Sequence, residues 1–514
     1  KEVLVFTLIL TALFAFLGKT LIEGKIRYPG HVLAIALLIL VLVWGASAFF
    51  SVNQLGSLIG SWATPDSFAA ILMFVVMTSV VVMTFERRDI VISLLVFLAS
   101  LSVLGIFEIL QLLKIFILPY GWAQNAAWNP VGSVNDVAVL LAFGLVIASG
   151  LMSGADISSL LKKLLGAAAL IFIVNLAIID FWAVWVGLAA AMVIMISFHL
   201  TALQGKRGEM GGRGKMGTQM GIMGERGEMG QGLQIAYFQK AWMPSVVLLL
   251  SLLFLLIPSP LARIVQTPAT VSLNFTATLN VAMENISAED GFLGGKALLG
   301  SGPNTFSYIF NLYKPVGINQ TIFWDTIFNT GFSSMATWAG TAGILGVFSL
   351  LFLIFAFLWT GITGTAVRNP SRSAMNLVSQ SVFTAVLFSF IMWFLYAGSF
   401  TMMAVTFWGM GLFLAAALFF LAEKGEMGVM GERGQRKSVF REIRIFSSPP
   451  KTFIFSLVIV GLMVLSVVGI YFEANRYIAE IYFSKSLARS TSSGQAANEE
   501  VISNISKAIE FWRY

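Results

Sequence analysis

About a dozen apolar stretches divide this 514-residue chain, each close to the ~20 residues that a helix needs to cross a hydrocarbon core ~30 Å thick. They run at roughly 2–17, 31–50, 67–85, 89–107, 135–152, 162–179, 181–199, 242–257, 334–358, 377–396, 401–421 and 451–471. Hydrocarbon offers no partner to a free backbone amide, so segments of this kind fold as helices. Charged residues make up only 11% of the chain, against about 25% in an ordinary soluble domain. That excludes a water-soluble domain. It also excludes a nucleic-acid binder, despite the net charge of +7. The expected fold is an all-α, polytopic membrane bundle of about 12 transmembrane helices, with a large outer-face loop and the start of a C-terminal helical repeat. The pair 162–179 and 181–199 is joined through Asp180 with almost no loop, as in a tight hairpin.

Orientation follows from where the lysines and arginines fall. Lys19, Lys25 and Arg27 precede the second span, Arg87 and Arg88 the fourth, and Lys162 and Lys163 the sixth. Segment 200–241 carries Lys206, Arg207, Arg213, Lys215, Arg226 and Lys240, and Arg368, Arg372 and the basic 422–450 stretch come later. Every second loop is basic, which places those loops in the cytoplasm. The 258–333 loop and the tail after 471 then lie outside the cytoplasmic membrane. The expected division is a membrane domain over 1–471 and a tail region over 472–514. A chain that opens on Lys1 and stops at Tyr514 inside a helical pattern is expected to be a piece of a longer protein with a further helix upstream.

The two large inner linkers hold most of the net positive charge, which suits topology and attraction to anionic headgroups. Both contain glycine at every third residue: Gly205, Gly208, Gly211, Gly214 and Gly217, then Gly221 to Gly230 after a slip, and Gly425, Gly428, Gly431 and Gly434. This is the collagen period, but neither tract contains proline and the register breaks. A low-complexity insertion is the favoured reading.

Cysteine is absent, so disulfides and thiolate chemistry are excluded. The two histidines, His31 and His199, fall at the inner face on this topology. No metal site and no cofactor are expected.

Most connections are short, so the roughly 75-residue 258–333 loop stands out, because long ordered loops are usually functional. Toward its end come Gly300-Ser-Gly302-Pro303-Asn-Thr-Phe306, then Tyr308, Tyr313-Lys314-Pro315, Asn319 and Phe323-Trp324-Asp325, followed by a span that opens on Gly343-Ile-Leu-Gly346. In the order of these elements the chain resembles the O-antigen ligase / O-antigen polymerase family of bacterial envelope glycosyltransferases, including its variant with C-terminal tetratricopeptide repeats. The resemblance covers about 60 residues closely and the rest by span number and loop position.

The resemblance implies transfer or polymerisation of a glycan carried on undecaprenyl pyrophosphate, at the outer face of the cytoplasmic membrane. It also implies structural roles for Gly300, Gly302, Pro303, Phe306, Gly343 and Gly346. A pyrophosphate leaving group calls for a cationic clamp and for a group that orients the acceptor hydroxyl. On that chemistry Arg263, Lys296 and Lys314 are candidates to bind pyrophosphate. Asp325 and Glu284 are candidates to orient the acceptor, and Tyr308, Tyr313 and Trp324 to stack on sugar rings. The chain departs from the ligase pattern in having no histidine in the loop, so a histidine-dependent mechanism is not expected, and a divergent or inactive member is the alternative.

Three more features bear on function. Glu108, near the end of the fourth span, is expected at the interface and paired with Lys114. Segment 115–134, with Tyr120, Trp122 and Trp128, reads as an interfacial re-entrant element. The tail has helical pattern at 477–489 and 501–511, as one tetratricopeptide-like unit or an ordinary amphipathic hairpin. Expected partners are the undecaprenyl-pyrophosphate-linked glycan, membrane lipids and a protein bound through the C-terminal repeats, with no nucleic acid. A membrane-anchored scaffold and a transporter or flippase are the alternative functions.

Overall fold

The structure is a computed structural model. It describes residues 2–29, 32–60, 65–153, 158–213, 241–268, 270–287, 295–363, 374–427, 440–444, 449–490 and 495–512. Among these, ten helices are long and apolar enough to cross a membrane, and two shorter apolar ones span Phe68–Thr84 and Ala241–Leu256. The protein is an all-α, multi-pass membrane bundle. The chain divides into two compact units, 1–29 with 440–514, and 30–439.

In the first unit, α1 (Glu2–Glu23) packs along α18 (Pro449–Ser490), and α19 (Gln495–Trp512) folds back on α18. Leu17 and Ile459 centre the α1–α18 contact. The span expected at 451–471 does not stop there. It continues as one helix of 42 residues through the whole of the first predicted tail helix. No glycine or proline interrupts 472–490, so nothing breaks the hydrogen-bond ladder. Between α18 and α19 the Tyr482 and Phe511 rings stack at 5.9 Å, and Ala479 and Ala508 are buried. Arg476, almost fully buried, pairs with Glu2 at 3.3 Å and with Glu480 at 3.5 Å. A two-stranded antiparallel ribbon, β1 (Lys25–Pro29) with β2 (Phe440–Arg444), was not expected; it pairs Lys25 with Arg444 and Pro29 with Phe440.

The second unit holds α2 (Val32–Phe49), the short α3 (Gln54–Ile59), α4 (Phe68–Thr84), α5 (Arg87–Leu112), α6 (Val134–Met152), α7 (Ser159–Ile179) and α8 (Trp182–Arg213). Next come α9 (Ala241–Leu256) and four short helices, α10 (Pro260–Ile264), α11 (Phe275–Ser287), α12 (Gly295–Leu299) and α13 (Phe306–Leu312). The unit closes with α14 (Ser334–Thr341), α15 (Gly343–Gly361), α16 (Ala374–Leu395) and α17 (Phe400–Met427). At its centre α6 is buried along nearly its whole length, between α5, α7, α8 and α16. Close approach there depends on small residues: a Cβ on Gly144 would lie 2.5 Å from Leu101, and one on Gly150 would lie 2.2 Å from Ser381. Hydroxyls inside the bundle bond back to their own helix, as Thr78 does to Phe74 O at 3.0 Å and Thr406 to Met402 O at 2.7 Å.

Two expected boundaries change. The span at 334–358 is two helices, α14 and α15, broken at Ala342–Gly343. The 200–241 linker begins inside α8, which runs on to Arg213 through the first glycines of the tract. The rest of that tract, most of the 422–450 linker and His31 lie outside the described residues. The tight α7–α8 turn is as expected: Asp180 takes a left-handed φ of 49° and bonds Trp185 Nε1 and the Ser259 amide, both at 2.9 Å.

Candidate functional site

Hydrogen bonds gather the described residues of the 258–333 loop and several helix ends at one end of the second unit, called here the loop end. Its firmest element is the glycine turn. Gly300 and Gly302 have φ of 72° and 108°, values an L side chain rarely adopts. The turn is held on two sides. Toward α14, the Gly302 amide donates to Thr341 O at 2.8 Å. Toward α2 and α3, Ser47 donates to Leu299 O at 2.6 Å, Ser51 to Ser301 O at 3.0 Å and Ser57 to Pro303 O at 2.6 Å. Asn304 Nδ2 reaches Gly56 O at 3.0 Å.

This turn and the Gly343–Gly346 helix start are a single contact. A Cβ on Gly300 would lie 2.2 Å from Thr341 O and 2.6 Å from Gly343 N, and one on Gly343, itself at φ 66°, would lie 2.5 Å from Gly300 N. The chain breaks between α14 and α15 because Gly343 turns left-handed to admit this approach. Phe306 and Pro303 are buried behind the turn, and Gly346 abuts Ala342 and Trp44.

The loop has a small core of its own. Leu273, Ala277 and Val281 of α11 and its lead-in pack on Phe306, Ile309 and Phe310 of α13, with Tyr313, Ile318 and Phe328 against them. Asn274 caps α11 by accepting from the Ala277 amide at 2.7 Å, and Asn285 ties α11 to α14 through Gly340 O at 3.0 Å. On this core Lys314, half-buried, donates its ammonium to Trp324 O and lies 5.8 Å from the Phe310 ring centre. Lys314 and Trp324 are therefore brought together, with exposed Asp325 next in the chain. Tyr313 is packed against the core, whereas Tyr308 on α13 and Trp324 are exposed.

The remaining candidates sit on separate elements. Arg263 is exposed on α10, which packs on α7; Glu284 is exposed on α11; Lys296 is half-buried on α12.

A polar node ties four helix ends together beside the loop. Ser133 and Asp136 form a capping box at the start of α6: the Ser133 amide donates to Asp136 at 2.8 Å, and the Asp136 amide to Ser133 Oγ at 3.1 Å. Asp136 also accepts from the Ser399 amide at 3.3 Å, and the Tyr396 hydroxyl lies 3.0 Å from Ser133 Oγ. Tyr396 O in turn accepts from the Ser334 amide at 3.2 Å. Burial first, and the Asp136 carboxylate second, push the Tyr396 phenol above its ordinary value, so it stays a neutral donor. Nothing in the charge pattern of the loops singles out Asp136. The available signal was Ser-x-x-Asp just before an apolar run.

The end of α5 corrects the expected Glu108–Lys114 pair. Glu108 is fully buried and neither carboxyl oxygen has a hydrogen-bond partner, while Lys114 is exposed at a left-handed φ of 62°. The reason lies one turn on: Gln111 donates to Ala123 O and Asn125 O, both at 2.7 Å, and draws the following loop over the helix end. That loop carries a single 3-10 turn at Gly121–Ala123 and a run of contacting rings from Tyr120 through Trp122 and Trp128 to Phe107.

Among the described residues no group of three or more acidic, histidine or cysteine side chains is placed to hold a metal ion. A scan against protein-family models returns no match, and neither does a search of curated proteins.

Proposed function

We propose that this multi-pass membrane protein is a glycosyltransferase of the O-antigen ligase and polymerase type, acting on undecaprenyl-pyrophosphate-linked glycan with the loop end outside the cytoplasmic membrane. The observation that carries the reading is the backbone contact between the Gly300–Phe306 turn and the α14–α15 break. These are two of the three segments on which the family resemblance rests, and close packing makes them one unit. Lys314 supports it further. Its ammonium is positioned by Trp324 O and the Phe310 ring, and lysine carries three N–H donors, which leaves capacity for an anionic oxygen. In this reading Lys314 binds the departing pyrophosphate, Asp325 orients the acceptor hydroxyl, and exposed Trp324 and Tyr308 offer ring faces to sugar.

The test is transfer from a lipid-linked oligosaccharide by the purified chain in lipid. Transfer is expected. Lys314→Ala should lower kcat/KM by about 10–100-fold, the worth of one charge-assisted contact. Unchanged activity in Lys314→Ala and Arg263→Ala would remove the site assignment, and no transfer from any undecaprenyl-pyrophosphate donor would remove the function.

A second reading, a membrane-anchored scaffold, is favoured by the α18–α19 pair, which leaves Leu487, Ile502 and Ile509 exposed as a partner surface. Capture of one partner that depends on Ile502 and Ile509, together with absence of transfer, would select it.

A further inference from the structure

Glu108 remains outside this reading. The buried stripe of α5 runs Leu94, Leu98, Leu101, Gly105, Glu108 and Leu112, so the carboxyl lies on the face turned into the bundle. On the α7 side of that face Asn175 is also fully buried. Its Nδ2 donates to Gly105 O at 3.1 Å and to Ile171 O at 2.8 Å, while its Oδ1 has no partner. Gly105 lets the two helices approach this closely, since a Cβ there would lie 2.8 Å from Ile171 and 3.1 Å from Asn175 Nδ2. Glu108 is three residues further along on the same face, and a helical side chain leans back over the turn before it. The carboxyl is thus directed toward the level of Gly105 and Asn175. Glu108 and Asn175 together present three buried acceptor oxygens, two carboxyl and one amide, none of which has a hydrogen-bond partner.

The helices packed on α5 supply no basic group to answer them. The charged residues of α6 and α17 are Asp136, already bonded to Ser133 and Ser399, and Glu423, Lys424 and Glu426 at the far end of α17. On α7 they are Lys162 and Lys163, 12 or more residues and so about 18 Å from Asn175. Asp180, in the turn after α7, is bonded to Trp185 and Ser259, and Lys114 is exposed. Leaving three acceptors dry inside a membrane bundle is strongly unfavourable.

We propose that Glu108 and Asn175 form a binding site for a small monovalent cation, a proton or a sodium ion, within the helix bundle. A proton on Glu108 removes the buried charge and turns the carboxyl into a donor for Asn175 Oδ1. A sodium ion takes the same oxygens as ligands. The site lies outside the loop and stands whether or not the chain transfers glycans.

Infrared difference spectroscopy of the full chain in lipid nanodiscs tests it, in potassium and in sodium buffer, at acid and alkaline pH. If the ligand is a proton, the wild type shows in potassium buffer the carbonyl band of a protonated carboxylic acid. Glu108→Gln lacks that band, and Asn175→Leu moves it to higher frequency by removing its acceptor. If the ligand is sodium, exchanging potassium for sodium alters a carboxylate band in the wild type but not in Glu108→Gln or Asn175→Leu. Identical spectra for wild type and Glu108→Gln in both buffers overturn the proposal. So does a Glu108 band that Asn175→Leu leaves in place. Should Glu108→Gln fail to fold, an Asn175→Leu spectrum identical to wild type in both buffers overturns it alone.

Discussion

Single residues at the loop end carry well-defined loads. Tyr396 is the clearest. Its hydroxyl contacts Ser133, and its pKa is raised by burial and by Asp136, so folding favours the protonated phenol. That contribution is complete below the unfolded value near ~10 and is lost as pH rises beyond it, because only the unfolded chain then ionises freely. Tyr396→Phe should therefore cost about 1 kcal/mol at neutral pH, the net worth of one hydrogen bond. It should also flatten the loss of stability in alkali. Denaturation in mixed micelles as a function of pH reads both effects, and an unchanged alkaline slope would argue against the role of the phenol. Ser133 and Asp136 carry a Ser-x-x-Asp signal but were not among the expected site residues, whereas Tyr396 and Ser399 come from a turn more than 260 residues away, which no local pattern links to them.

At the scale of elements, the glycine turn and the α14–α15 break act as one joint. Each half was visible in the sequence as a glycine motif. Their contact was not, since it depends on φ values and on serines of α2 and the segment after it that no spacing rule connects to the loop. Gly300→Ala should destabilise by about 2–3 kcal/mol, through left-handed strain and a methyl driven against Thr341 O, a backbone atom that cannot turn aside. Gly317→Ala in the same loop, where a Cβ meets nothing within 4 Å, should stay within about 0.5 kcal/mol. Thermal unfolding of the two variants in one detergent checks the contrast, and equal effects would mean that the joint is not specific. α18 teaches the opposite lesson. Its start was clear from hydropathy, but the span passes into the tail helix with no break, because polarity changes along the helix while nothing interrupts its backbone.

At the scale of the whole molecule, the absence of cysteine makes topology directly measurable, since any introduced cysteine is the only one. Asp325→Cys in the loop and Arg88→Cys at the start of α5 are both at exposed positions. With the loop end outside, a membrane-impermeant maleimide added to intact cells should label the first and spare the second until the membrane is opened; the reverse pattern would invert the proposed orientation. The all-α, multi-pass class, the order of the apolar helices and the tight α7–α8 turn were legible in the sequence alone, although of about twelve expected spans ten described helices are long enough to cross and two are shorter. Hydrocarbon allows only one solution for a long apolar segment, and that constraint is local. What only the tertiary structure decided is which polar groups meet. Ser47, Ser51 and Ser57 meet the glycine turn, Tyr396 meets the start of α6, Lys314 meets Trp324 O, and Glu108 is buried away from its expected lysine. Those pairings depend on helix rotation and close backbone approach between distant segments, set by packing of small residues that a pattern of polarity does not encode.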